Sequence, residues 1–392
     1  MLRFGPYRDI LQLMSVRRRK WTTKSGEPRE AWVVAYTDAT GKRHIETFER
    51  KKDADSRHAA VKTAIAAGTH TPTNKSATIT EAARDWLAHI EGEGIEPTTL
   101  RNYSHYIRGH LIPRMGNVKL ATLTAPRMHL FRDELVRDLS RITAQKVLIT
   151  LKAILKDARR RGTLAGNPAE GVSIKADKRA AAKLQIGVDI PSPEEIARII
   201  AAAKGRARPF LVMAIFTGMR SSELRGLRWS DVDMEKGELH VRQRADRLNR
   251  IGNPKSASSR RTIPIGPMVV NTLREWKLAC PKGSLDLVFP SHRGGIQHHG
   301  NIFMRQLRPV LEAAGIGAKY GLHSFRHFFA SWCANRKVDG GRELPMKMVQ
   351  ELLGHSSILM TADVYGHLFP RADDSAELAA AELSLVLGQK GV

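Results

Sequence analysis

The sequence predicts a multidomain chain, mainly α with small β-sheets. A three-stranded sheet with one helix comes first, then a helical domain, then a mixed α/β domain. Three observations carry this. Short strand-like runs between residues 16 and 48 give way, from Ile79 onward, to apolar residues at helical spacing. The stretch 70–77 crowds Thr, Pro, Asn and Ser together and 175–189 lacks a regular pattern, so both read as linkers. At 392 residues the chain is long enough for two or three domains with cores of their own.

Residues 1–75 form the first part. Runs at 16–21, 31–36 and 43–48 read as strands, with 38–41 turning the second hairpin. Residues 52–67 are alanine-rich and helix-prone, stopping at Gly68. Arg17, Arg18 and Arg19 stand together on the first strand, a candidate contact for polyanions.

The second part spans 78–172. One helix begins near Thr80 and carries Ala83, Trp86, Leu87 and Ile90; another follows Pro97 with Tyr103, Tyr106 and Ile107. A third covers 124–135, with Pro126 in its first turn. The fourth is the clearest: Val147, Leu148, Leu151, Ile154, Leu155 and Ala158 follow the i, i+3, i+4, i+7 rule. It ends in Arg159, Arg160 and Arg161, cations where a helix C-terminus favours them and a second candidate basic contact. Asn167-Pro168 marks the end of this part, and 173–190 is the expected linker.

Ser192-Pro193-Glu194-Glu195 opens the third part, 191–371, with a capping box. A strand is expected over 238–242. A helix after Pro345, with Met348, Val349 and Leu352 inward, stops at Gly354. A last helix covers 372–387, within the tail 372–392.

Composition bounds the partners. Lys and Arg number 64 against 39 Asp and Glu, for a net charge of +25. The excess is spread: 16 basic against 8 acidic residues in 1–77, 15 against 10 in 78–172, and 33 against 21 in 173–392. The excess supports nucleic acid or another polyanion as partner, since each phosphate neutralised releases condensed counterions, and its spread argues against a single basic tail as the only contact surface. Cys280 and Cys333 are too few for a disulfide framework or a four-cysteine zinc site. The longest apolar run, 210–216, is far shorter than a membrane span, and the N-terminus reads as no secretion signal. A cytoplasmic location with no membrane partner is expected, and no Gly-x-x-x-x-Gly-Lys-Ser/Thr phosphate loop occurs.

Four motifs stand out in the third part. Thr217-Gly218-Met219-Arg220-Ser221-Ser222-Glu223-Leu224 places an arginine at a helix start. Lys255 lies in a turn-rich stretch with Arg260 and Arg261 nearby. Leu322-His323-Ser324-Phe325-Arg326-His327 puts His323 and Arg326 on one helical face and Phe325, Phe328, Phe329 and Trp332 on the other. Leu352-Leu353-Gly354-His355 is followed ten residues after the histidine by Tyr365. His323 and His327 also stand at i, i+4, but Ser324 replaces the glutamate of His-Glu-x-x-His and no third zinc ligand is evident.

In content and order these motifs resemble the tyrosine recombinase (phage integrase) family. The resemblance is dense over 190–370 and looser before. It implies an arm-type DNA-binding domain at 1–75, a SAM-like core-binding domain at 78–172 and a catalytic domain at 191–371. It implies that Tyr365 attacks a DNA phosphodiester, forming a 3′-phosphotyrosyl link that reseals through a Holliday junction without metal, ATP or other cofactor. Arg220, His323, Arg326 and His355 would surround the phosphate, since a guanidinium matches phosphate oxygens bidentately. Lys255 would protonate the leaving 5′ oxygen, and a lysine near its ordinary pKa of ~10.4 carries that proton at neutral pH. Glu223 would support the site, and Arg260 and Arg261 are further candidate DNA contacts. Tyr320 and His367 are the competing assignments.

The implied partners are double-stranded attachment sites and three further copies of the chain, linked by the C-terminal helix into a tetramer. DNA-bending and excisionase accessory proteins, and a bacterial nucleoid setting, belong to the same resemblance. Two rivals carry part of the pattern: a type IB topoisomerase-like enzyme shares the chemistry, and a catalytically inert DNA-binding regulator shares the basic surface.

Overall fold

The computed structural model describes residues 14–23, 26–37, 42–66, 76–164, 166–175, 183–369 and 375–387. The chain divides into two compact units, Met1–Lys178 and Arg179–Val392.

The first unit holds two separate cores. Strands β1 (Ser15–Thr22), β2 (Pro28–Thr37) and β3 (Arg43–Phe48) pair antiparallel in the order β1-β2-β3. Helix α1 (Lys51–Ala66) supplies Ala54, Val61 and Ile65 to a small core with Val34 and Tyr36. Glu46 of β3 accepts from Arg57 Nε at 2.7 Å and from Arg57 Nη2 at 2.9 Å, clamping helix to sheet. The expected turn at 38–41 and stop at Gly68 lie outside the described residues.

The second core is helical. Helix α2 (Ile79–Gly92) starts in a capping box between Thr78 and Glu81. Then α3 (Pro97–Tyr106) runs through a π-helical turn, Ile107–Leu111, into α4 (Ile112–Met115). Helices α5 (Ala125–Asp138) and α6 (Arg141–Arg160) complete it. Val147, Leu148, Leu151, Ile154, Leu155 and Ala158 of α6 are all buried, as their spacing predicts.

In the C-terminal unit, α7 (Pro193–Ala202) begins in the predicted box of Ser192 and Glu195. Tyr320 Oη donates to Glu195 at 2.6 Å, which assigns that tyrosine to packing. Helix α8 (Ala207–Thr217) is apolar almost all round and therefore central, with Phe210 through Ile215 buried. It stops at Gly218, whose φ of +59° is left-handed and whose missing Cβ leaves room for the Phe329 ring. Helix α9 (Ser221–Gly226) starts immediately afterwards.

Strands β4 (Val232–Asp233), β5 (Glu238–Val241) and β8 (Arg261–Pro264) form an antiparallel sheet, with Leu239 opposite Ile263 and Val241 opposite Arg261. Between β5 and β8 a small hairpin, β6 (Arg244–Ala245) with β7 (Ile251–Gly252), projects before the segment carrying Lys255. Helix α10 (Pro267–Ala279) follows; α11 (His299–Ile302) and α12 (Arg308–Ala313) flank a π-helical turn.

Helix α13 (Leu322–Ala334) packs through Phe325, Phe328 and Phe329, as its periodicity predicts. Helix α14 (Met346–Leu353) ends at left-handed Gly354, φ +64°. Met348 is exposed on α14 rather than inward, because Val349, Leu352 and Leu353 already fill the buried face. Helix α15 (Ile358–Tyr365) carries Tyr365 as its last residue, and α16 (Ser375–Leu387) is the described part of the tail. No helix among the described residues is long and apolar enough to cross a membrane.

Candidate active site

Five chain segments converge where α8, α13 and α14 end or begin. Arg220 stands between α8 and α9, and its backbone N–H donates to Glu223 Oε2 at 3.0 Å while Nη1 donates to Glu223 Oε1 at 2.8 Å. Its Nη2 reaches the Gly354 carbonyl at 3.3 Å, tying the α9 start to the α14 end.

Arg326 does not face outward with His323 as its helical spacing predicts. It is 2 % exposed, with Nη1 donating to the Gly218 carbonyl at 2.5 Å and Nη2 to the Leu353 carbonyl at 2.6 Å. The long side chain leaves the helical face and fills the gap between two helix ends. Burial and then neighbouring Arg220 push its pKa down to about 9, against the pull of Glu223, so it is a cation at pH 7.

Glu223 is buried beneath these cations. Burial raises its pKa, but Arg261, Arg220 and Arg326 outweigh that and hold it below the usual carboxylate range. Arg261 is its second partner, donating from Nη2 at 2.9 Å, and also donates from Nε to the Leu352 carbonyl at 2.6 Å. That corrects the expectation of Arg261 as a DNA contact. Its side chain is 6 % exposed, because its place on β8 turns it inward toward α14.

Tyr365 closes the site from α15. It is 2 % exposed, its ring parallel to that of His355 with centroids 6.3 Å apart. Burial pushes its pKa up to about 12, with Arg326 and Arg220 working against, so the phenol keeps its proton at neutral pH. His355 is buried, its Nδ1 2.9 Å from Thr361 Oγ1. Burial and then Arg326, Arg220, Arg261 and His323 lower its pKa to about 4. His323 is exposed at the mouth, and burial of part of its ring, then Arg326 and Arg220, lower its pKa.

The structure thus brings Arg220, Glu223, His323, Arg326, His355 and Tyr365 together. Lys255 is exposed in the segment between β7 and β8.

The profile described as "Phage integrase family" matches residues 192–371, and that described as "Phage integrase, N-terminal SAM-like domain" matches 78–136. A tyrosine recombinase XerC of Xylella fastidiosa is 30% identical over 234 residues, 59% of this chain and 72% of that protein. The chain belongs to the tyrosine recombinase (phage integrase) family. Its members are enzymes that break and rejoin DNA, and so is this one. A tyrosine recombinase XerC-like protein of Caldanaerobacter subterraneus subsp. tengcongensis is 29% identical over 328 residues, 76% of this chain and 81% of that one. The fold matches the Tn1549 transposon integrase, solved in complex with a circular intermediate DNA. The TM-score is 0.62 at 20% identity, over 79% of this chain and 100% of that one.

For a recombinase, the other basic candidates divide by their surroundings. Arg17, Arg18 and Arg19 are exposed on β1, with Arg18 paired to Glu30. Arg260 is exposed and donates to Asn253 Oδ1 at 3.0 Å. Arg160 and Arg161 each bond Asp157 at 2.6 Å, so both side chains are held by a carboxylate on their own helix, and Arg159 lies 4.0 Å from Glu170. Sequence reasoning missed His327, whose Nδ1 lies 2.8 Å from Tyr365 Oη. The signal was its place one turn from His323, which the sequence presents only as a zinc spacing.

Proposed function

We propose that this chain is a site-specific integrase that uses Tyr365 as its nucleophile. The observation carrying this is a buried tyrosine that feels the charge of two guanidiniums, Arg326 and Arg220, held by backbone carbonyls rather than by carboxylates alone. In the proposed reaction Tyr365 Oη attacks a backbone phosphorus and the bond to the 5′ oxygen breaks. Arg220, Arg326, His323 and His355 meet the charge on the non-bridging oxygens. Lys255 gives a proton to the 5′ oxygen from its exposed segment. Glu223 with Arg261 holds Arg220 in place. The phosphotyrosyl ester conserves the bond energy, so a 5′ hydroxyl reseals the strand without ATP.

The exposed cations of β1 support arm-type DNA binding by the N-terminal sheet, and the net charge of every part supports double-stranded attachment sites as substrate. Leu378, Leu383 and Leu385 of α16 are exposed, which supports docking of that helix on a neighbouring copy in a tetramer on DNA. Accessory DNA-bending and excisionase proteins would set the direction of the exchange.

The test uses suicide substrates nicked beside candidate cleavage positions at the ends of the mobile element. Wild type yields a protein–DNA adduct that survives SDS without metal or ATP, and Tyr365→Phe yields none. No adduct on DNA that is bound and cleavable by other means returns the chain to the inert regulator.

A further inference from the structure

We propose that His327 is a catalytic residue for this reaction, the general base that takes the proton from Tyr365 Oη during cleavage and returns it during rejoining. The inference rests on Tyr365 being the nucleophile.

The geometry comes first. His327 lies on α13 four residues after His323 and one after Arg326, and its Nδ1 is 2.8 Å from Tyr365 Oη, within the reach a proton acceptor needs. Among the hydrogen bonds of the described residues, this is the one made by the Tyr365 hydroxyl. A phenol is a stronger donor than an imidazole N–H, and an imidazole nitrogen is a stronger acceptor than a phenol oxygen, so Oη donates and Nδ1 accepts. The other histidine beside the ring is differently engaged: His355 Nδ1 is 2.9 Å from Thr361 Oγ1, and its ring lies parallel to that of Tyr365 rather than aimed at its hydroxyl.

The chemistry requires such a group. Tyr365 is protonated at neutral pH and only 2 % exposed. Attack on phosphorus forms the Oη–P bond and breaks the P–O5′ bond; the phenolic proton must leave as the first forms, and the 5′ oxygen must gain one as the second breaks. Transfer from Oη to Nδ1 leaves an imidazolium, and transfer from Lys255 to O5′ leaves a neutral amine. The two steps balance, and rejoining reverses both.

The groups facing His327 set its readiness. His323 stands edge-on with ring centroids 4.5 Å apart, Arg326 follows on the same helix, Tyr365 faces it from α15, and Asp189 approaches from the segment before α7. Burial, then His323 and Arg326, lower its pKa to about 4, with Asp189 opposing. The ring is therefore neutral at pH 7 with its nitrogen free of a proton, and a base this weak takes the phenolic proton only as the Oη–P bond forms and acidifies Oη. A phosphodiester in the site adds a negative charge, which favours the imidazolium formed by the transfer.

The test is single-turnover cleavage of the suicide substrate at saturating full-length protein, between pH 6 and 9. His327→Asn places an amide where Nδ1 stands, keeping a hydrogen-bond acceptor that cannot take a proton. Its adduct should form about 100-fold or more slowly at pH 7. Its rate should rise tenfold per pH unit as hydroxide supplies the base, while wild type stays flat. His327→Ala should recover part of its rate with added imidazole. Melting and DNA binding of both variants check that they fold. Wild-type cleavage rates in His327→Asn overturn the base assignment, as does a slow rate that neither pH nor imidazole lifts. An adduct from Tyr365→Phe would instead overturn the nucleophile, so the two failures are distinct.

Discussion

Replacing Glu223 by glutamine keeps the side-chain volume and removes one charge from the middle of the site. The wild-type carboxylate is 2 % exposed and bonds Arg261 at 2.9 Å and Arg220 at 2.8 Å. Arg261 is 6 % exposed, so that pair is buried; Arg220 is 29 % exposed, so that pair is partly screened. Removing one partner of a buried pair costs ~3–5 kcal/mol, and an exposed pair adds ~0.2–1 kcal/mol. Glutamine keeps an acceptor oxygen, which places the loss near ~3 kcal/mol. In a unit of this size, ~1 kcal/mol moves Tm by about 2–4 °C, so the variant should melt about 6–12 °C lower.

The sign with pH follows from the lowered pKa of Glu223. A carboxyl whose folded pKa is depressed contributes fully above its unfolded value, ~4.3, and the contribution is lost as pH falls through the folded value. The gap between wild type and Glu223→Gln should hold from pH 8 to 5 and close only in stronger acid. Calorimetry of the full chain across that range measures it. A Tm within about 2 °C of wild type at pH 7, or a gap already closing between pH 7 and 5, refutes the reasoning.

Three further substitutions test the supports around the site. Arg225 is buried and donates to the carbonyls of Gln297, Ala245 and Asp246 and to Asn249 Oδ1, stitching the β6–β7 hairpin to α9. Arg225→Met should cost ~3 kcal/mol through orphaned acceptors and expose residues 246–257 to limited proteolysis; digestion at the wild-type rate would count against it. Gly218→Ala sets a Cβ 2.3 Å from Phe329 at φ +59°, for a loss of ~2–5 kcal/mol. Gly354→Ala meets Arg261 Nη1 at 2.9 Å and the Ser258 carbonyl at 3.1 Å, looser contacts than 2.3 Å against a ring, and should cost less; urea midpoints in the reverse order would contradict this account.

Much of the fold was legible because its signals are local. The capping box of Ser192 needs only residues three apart and formed as read, and the helix expected near Thr80 starts in a box of the same kind, between Thr78 and Glu81. The aromatic face of α13 and the apolar stripe of α6 follow from helical periodicity alone. Sequence spacing could not show where a long side chain ends. Arg326 shares a helical face with His323, but its guanidinium is fixed by carbonyls 108 and 27 residues away. Arg261 reads as one more cation of a polar loop until the register of β8, with Val241 opposite Arg261, turns it inward. His327 and Tyr365 meet across 38 residues, and only the packing of α15 against the site brings them into line.

The charge of the site explains why so many of these cations lean on neutral partners. Arg220, Arg261 and Arg326 share one carboxylate, Glu223, and their other bonds run to neutral groups, the carbonyls of Gly218, Ser259, Leu352, Leu353 and Gly354 and the Ser259 hydroxyl. Carbonyl oxygens fix a guanidinium in position without cancelling its charge, so three cations and one anion leave an excess of two. In the proposed reaction a bound phosphodiester would bring one negative charge, and more would develop on its oxygens during attack by Tyr365. An excess matched to the transition state rather than to the bound strand favours the former, which is what accelerates a reaction. A second carboxylate in place of those carbonyls would hold the arginines as firmly and remove the advantage.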